Sequence, residues 1–138
     1  MNELEKDFAP FQESLELKQL GFDEPCFGYY DIQYNNQSYN GKLVLGKDPD
    51  TLTCTKKMLY IYGQQKVLTP TLSQSFRWFR KKHNLKSWVQ EHTADTFIYE
   101  IRPHKLTDYR EDEVYVYEEY EQAELECLRK LIEIVKNK

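Results

Sequence analysis

The strongest constraint on the fold is the periodicity of residues 119–136, EYEQAELECLRKLIEIVK. Wound at about 100° per residue, they gather Tyr120, Ala123, Leu125, Cys127, Leu128, Leu131, Ile132, Ile134 and Val135 on one broad face. Gln122, Glu126, Arg129, Lys130, Glu133 and Lys136 take the other. A helix with so wide an apolar face must lie on a second layer, and the residues upstream read as the strands that provide it.

A first helix is predicted over residues 10–20, opened by Pro10 and ended by Gly21 in the left-handed conformation, with Leu17 and Phe22 as the apolar pair that such an ending brings together. The aromatic and β-branched run from Cys26 reads as a strand over 26–34. Asn35-Asn36 and Asn40-Gly41 both suit a tight turn, so a hairpin leads into KLVL at 42–45 with the choice between them open. GKDPDT follows as a loop, KMLYIY at 57–62 as a strand, and Thr69-Pro70 as the start of a second helix. SWVQE and TFIYEIR are two strands joined through residues 92–95, and VYVY at 114–117 alternates as a sixth. The order α-β-β-β-α-β-β-β-α predicts a single α+β domain over residues 1–138. Its core would be a mainly antiparallel sheet of about five to six strands, with three helices covering one side.

Charge is strongly segregated. The net charge is −4, yet residues 51–90 hold eight Lys or Arg and no Asp or Glu. Residues 91–126 hold twelve acidic side chains against three basic ones. Eleven Tyr, seven Phe and two Trp exceed what a core of this size needs, which makes the chain tyrosine-rich at its surface. Cys26, Cys54 and Cys127 are odd in number and lack zinc-ligand spacing. They predict reduced thiols in a cytoplasmic setting, with no metal, cofactor or disulfide framework. The acidic, polar opening residues read against a signal peptide, and no apolar run reaches membrane-spanning length, so no membrane partner is expected.

The stretch SQSFRWFRKKHNLKSW (73–88) mixes aromatic and basic residues. On a helical wheel Leu72, Phe76, Phe79 and His83 fall within about 60° and predict the buried stripe. Arg77, Arg80 and Lys81 lie opposite, and Trp78 stands apart from the stripe. Arg77, Trp78, Arg80, Lys81, Lys82 and Lys86 are therefore candidate binding residues for phosphates or an acidic partner. The competing expectation has Trp78 covered by another element and the cations solvated or neutralised within the fold. Tyr29, Tyr34 and Tyr39, from the segment FGYYDIQYNNQSYNG, are the second candidate set, because exposed tyrosines suit a protein contact.

The sequence assigns no catalytic residue. Glu124 falls inside the apolar arc of the last helix, where a buried carboxylate needs a partner and could act as an acid or base. Asp95 with Glu100-Ile101-Arg102 weakly resembles the acidic pair and cation of metal-dependent nucleases. His83, His92 and His104 lack close spacing or an adjacent nucleophile. An enzyme using Glu124 or the Asp95/Glu100 pair is the alternative to a non-enzymatic interaction module.

The blocks LELKQLGFDEPCFGYYD (15–31), FRWFRKKHNL (76–85) and EQAELECLRKLIEIVK (121–136) resemble small uncharacterised proteins of gut Bacteroidales phages, prophages and genomes. That resemblance implies a setting and brings no activity, ligand or site residue with it. It implies a small accessory protein whose partner is a host or phage protein; independently of it, the basic segment 56–86 allows nucleic acid as a partner, and the Tyr-rich patch a symmetric homodimer. The α-β-β-β-α order over residues 10–83 also resembles a double-stranded-RNA-binding module. That module places basic residues at the start of its last helix, where this chain has the uncharged TPTLSQS; its basic residues lie at the helix's other end, which argues against that module.

Overall fold

Helix α1 (Phe11–Gln19) follows Pro10, whose fixed φ suits the entry to a helix. Its end is the one the Gly21 signal predicts. Gly21 has a φ of +102°, the Phe22 N–H donates to the Leu17 carbonyl at 2.9 Å, and the Gly21 N–H donates to the Lys18 carbonyl at 3.0 Å. The two bonds occupy carbonyls that a helix C-terminus leaves without intrahelical donors, and Leu17 and Phe22 are both buried. These features come from a computed structural model that describes residues 3–35, 38–45, 60–61, 64–103 and 115–138, clustered into two compact units, Met1–Ser73 and Gln74–Lys138.

In the first unit β1 (Gly28–Asn35), β2 (Ser38–Leu45), β3 (Tyr60–Ile61) and β4 (Gln64–Thr69) make an antiparallel sheet in the order β2-β1-β4-β3. Asn35 stands opposite Ser38, while Asn40 and Gly41 lie inside β2 opposite Gln33 and Ile32, so the second turn candidate is a strand segment. The expected loop at 46–51 and the rest of the strand expected at 57–62 lie outside the described residues. Tyr30 and Val67, cross-strand neighbours in β1 and β4, are buried with Phe11, Leu15 and Leu43 packed against them.

A polar knot ties this unit together. The Ala9 carbonyl accepts hydrogen bonds from Thr69 Oγ1 (2.7 Å), Tyr30 Oη (2.9 Å) and Ser14 Oγ (3.1 Å), and the Ala9 N–H donates to the Pro70 carbonyl (2.9 Å). Ser14, Tyr30 and Thr69 are buried, and a buried hydroxyl left without a partner costs roughly 1–3 kcal/mol. One carbonyl thus joins the segment before α1, α1 itself, β1 and β4.

The second unit carries most of α2 (Leu72–His83), together with β5 (Lys86–Thr93), β6 (Thr96–Arg102) and α3 (Tyr120–Lys136). β5 and β6 pair antiparallel from Lys86↔Arg102 to Thr93↔Thr96, with a bulge between Glu91 and Thr93. α3 packs on both strands. Its buried residues are Ala123, Cys127, Leu128, Leu131 and Ile132, a subset of the predicted face; Leu125, Ile134 and Val135 are half-buried, and Tyr120 is exposed.

The expectation of one sheet of about five to six strands is overturned, although the fold remains α+β with three α-helices among the described residues. The described strands divide into a four-stranded sheet and a separate two-stranded sheet. Two local facts account for the difference. β4, a strand not predicted from its Gln-Gln-Lys opening, occupies the second edge of β1. β5 exposes Lys86, Gln90, Glu91 and His92, the kind of polar and charged edge that resists further pairing. The sixth strand expected at 114–117 reduces to a single bridge, in which Phe97 and Tyr117 exchange backbone bonds of 2.7 and 2.9 Å; Val114 lies outside the described residues. Among the described residues the α and β elements therefore run α-β-β-β-β-α-β-β-α. No helix among the described residues is long and apolar enough to cross a membrane.

Candidate interaction surface

The buried side of α2 is turned relative to the predicted stripe. Leu72, Ser75, Trp78 and Phe79 are buried and span about 120° of the wheel, whereas Phe76 and His83 sit half-buried on its flank. Trp78 is only 3% exposed. Its indole meets Phe79 edge to face at 5.0 Å and His83 at 4.9 Å. Burial, with a smaller contribution from the Lys138 charge, lowers the His83 pKa and favours its neutral imidazole.

Arg77, Arg80 and Lys81 are exposed on the other side of α2. Lys82, although its position lies over the buried arc, reaches solvent from the last turn, and Lys86 is exposed at the start of β5. Among the described residues none of these five cations has an ion-pair partner. Arg80, Lys81 and Lys82 also lie where the helix dipole favours positive charge, which lowers the cost of crowding them.

The β5–β6 hairpin has two unlike faces because side chains alternate along each strand. Ser87, Val89, Phe97, Tyr99 and Ile101 share the face that α3 covers. There the buried Cys127 thiol is pushed up to about 12 by desolvation, an effect that the nearby Ser87 hydroxyl partly offsets. Ser87 Oγ is itself buried without a hydrogen bond of acceptable geometry. Tyr99, stacked on Tyr117 at 6.3 Å, has its phenol raised by burial and then by the neighbouring Tyr117, Cys127, Glu126 and Glu133. A thiol and a phenol held protonated in this way are poor nucleophiles.

The other face carries Lys86, Trp88, Gln90, Ile98, Glu100 and Arg102. Trp88 is 40% exposed and donates its Nε1–H to Gln90 Oε1 at 3.2 Å. Arg102 stands 3.8 Å from Glu100, a long and solvated ion pair of small energetic weight. Sequence reasoning identified this strand without singling out Trp88. The usable signal was the alternation Lys86, Trp88, Gln90 against Ser87, Val89, which puts the indole on the polar side.

The remaining candidates do not converge. Tyr29 is half-buried, whereas Tyr34 and Tyr39 lie outside the residues whose side chains are described. Glu124 is half-buried rather than enclosed, and its charge raises both the Tyr120 phenol and the Cys127 thiol. Asp95 is exposed in the hairpin turn, and Glu100 lies more than four strand steps away, about 13 Å or more at the usual rise. His92 is exposed and His104 lies outside the described residues. Among the described residues no group of three His, Cys, Asp or Glu side chains could hold a metal ion. No family model, curated protein or solved structure matches the chain.

Proposed function

We propose that the chain is a non-enzymatic interaction module that engages an anionic partner through the exposed cations of α2 and the start of β5. The observation that carries this reading is the run of five exposed cations, Arg77, Arg80, Lys81, Lys82 and Lys86, in a stretch of forty residues without one carboxylate. Such a patch raises the local concentration of anionic groups and speeds their encounter. Burial of Trp78 makes the contact electrostatic rather than one of base stacking. The resemblance to phage and prophage proteins supports an accessory role in bacterial cytoplasm, where the partner is a host or phage macromolecule.

Retention on immobilised duplex DNA and on heparin tests the reading. The Arg77→Glu/Lys81→Glu double variant should lose retention and keep the wild-type melting temperature, since both side chains point away from the buried arc. Unchanged retention of that variant would sink the proposal. A steep linear fall of log affinity with log salt assigns the partner to nucleic acid, because phosphate contacts release condensed counterions. A shallow dependence assigns it to an acidic protein surface.

A further inference from the structure

Among its described residues, the unit Gln74–Lys138 carries opposite charge at its two ends. At one end lie the last turn of α2 with Arg80, Lys81 and Lys82, the strand end Lys86, and Lys138, whose charge reaches His83; Arg102, opposite Lys86, has its charge met by Glu100. At the other end lie Glu91 and Asp95 beside the hairpin turn, with Glu118, Glu119 and Glu121 where α3 begins. The start of α3 is held there by the edge-to-face contact of Tyr120 with Phe97 at 5.6 Å and by the Phe97–Tyr117 bridge. Apart from the half-buried Glu100, all these charged side chains are exposed.

The 17 residues of α3 span about 25 Å between the two ends, whereas charge is screened over about 8 Å at physiological salt. The ends are too far apart to neutralise each other within one molecule. Each also carries apolar surface. Trp88 lies on the same face as Lys86, two positions along β5, while Tyr115 (68% exposed), Val116 and Tyr120 flank the acidic end. Opposite charge around exposed aromatic area is the make-up of a specific contact: charge sets orientation and the aromatic groups supply buried area.

Resting on the basic-face reading above, we infer that the anionic partner is the acidic end of a second copy of this chain, so that copies join head to tail. A polyanion would occupy the basic end and leave the acidic, aromatic end without a role; a second copy uses both. Because the two joined surfaces differ, the contact is heterologous, and repeated copies either close into a ring or extend.

Sedimentation velocity of the full chain tests this at low and high salt. At low salt the mass should rise with concentration, and at high salt it should return to that of a monomer. The basic-end variant Lys81→Gln/Lys82→Gln/Lys86→Gln and the acidic-end variant Glu118→Gln/Glu119→Gln/Glu121→Gln should each self-associate about tenfold more weakly or less well still. Mixed in equal amounts they should form a heterodimer and nothing larger, since each retains one working end. Normal melting of both variants shows that the fold is intact. A wild-type chain that stays monomeric at low salt overturns the inference, as does a mixture that yields no heterodimer. A monomeric wild type that is still retained on duplex DNA overturns head-to-tail joining and leaves the basic-face reading standing; loss of both removes the two together.

Discussion

Trp78 and Trp88 stand ten positions apart in one basic stretch, yet the first is 3% exposed and the second 40%. Both have Lys or Arg close by in sequence, so local composition does not separate them. Secondary structure does. On α2 winding puts Trp78 on the buried arc with Leu72, Ser75 and Phe79 and nearly opposite Arg80, while Lys81 and Lys82, one turn on, keep their charged heads in water. On β5 a period of two carries Trp88 to the same face as Lys86 and Gln90, away from Ser87 and Val89 beneath α3. Aromatic residues interleaved with cations do not make a stacking surface until winding has sorted them. Here α2 exposes charge with its indole hidden, and the hairpin exposes an indole with little net charge around it.

The largest effect expected from this contrast is on stability. Trp78→Ala should cost about 3–5 kcal/mol in urea unfolding, because it removes a nearly sealed aromatic side chain and its ring contacts with Phe79 and His83. A cost no greater than that of Trp88→Ala would break the comparison. The direction in which the buried side of α2 is turned can be read from its two phenylalanines. Phe79 is fully buried and Phe76 only half-buried, so Phe79→Ala should exceed Phe76→Ala by about 1–2 kcal/mol. Equal costs would return the stripe to the position that apolar residues alone imply.

That stripe shows where sequence reasoning stops. The Gly21 ending of α1 was legible because it depends on six consecutive residues and on one backbone conformation that glycine adopts freely. The extent of α3 and the existence of β5 and β6 were legible for the same local reason. β4 was not, because Gln64, Gln65 and Lys66 become a strand through pairing with neighbours, Gln65 and Lys66 with β1 some thirty residues away and Gln64 and Gln65 with β3. The division into two sheets is likewise a matter of edges, which no single segment encodes. On α2 the apolar pattern missed Ser75, a small polar residue with fully buried surface, and so placed the stripe about 60–70° too far from Trp78. The exposed cations of the candidate surface were the most readable part, since Lys and Arg keep their charged heads in water almost everywhere.

The two faces of the hairpin should also differ in their response to alkali. In the folded chain Cys127 holds its proton to about 12, against an ordinary 9.0. Between those values the unfolded chain has lost a proton that the folded chain keeps, so stability is fully present below pH 9 and falls as pH rises toward 12. One such thiol changes unfolding free energy by at most about 1.4 kcal/mol per pH unit. Cys26, also raised to about 12 by burial, contributes with the same sign from the other unit. Urea unfolding of Cys127→Ala between pH 9 and 10 should show a shallower decline than wild type, whatever its absolute stability. Trp88→Ala should leave the slope unchanged, since the indole is not an acid in this range. An unchanged slope in Cys127→Ala would mean that the thiol already ionises in the folded state and that α3 does not seal this face.

The smallest expected effect is on the open face. Trp88 stands opposite Glu100 and diagonal to Ile98, and cross-strand pairs of this kind are worth roughly 0.2–1 kcal/mol. Its hydrogen bond to Gln90 is exposed, so water can replace the acceptor when the indole is removed. Trp88→Ala should therefore cost about 0.5 kcal/mol, near the limit of a denaturant titration. A cost of several kcal/mol would mean that the open face is part of a core, and the two tryptophans would then differ in position but not in role. A small cost combined with weaker self-association at low salt would place the indole in the contact between copies. Under that outcome Trp78 holds the helix that presents the charge, and Trp88 lies in the surface that the charge brings together.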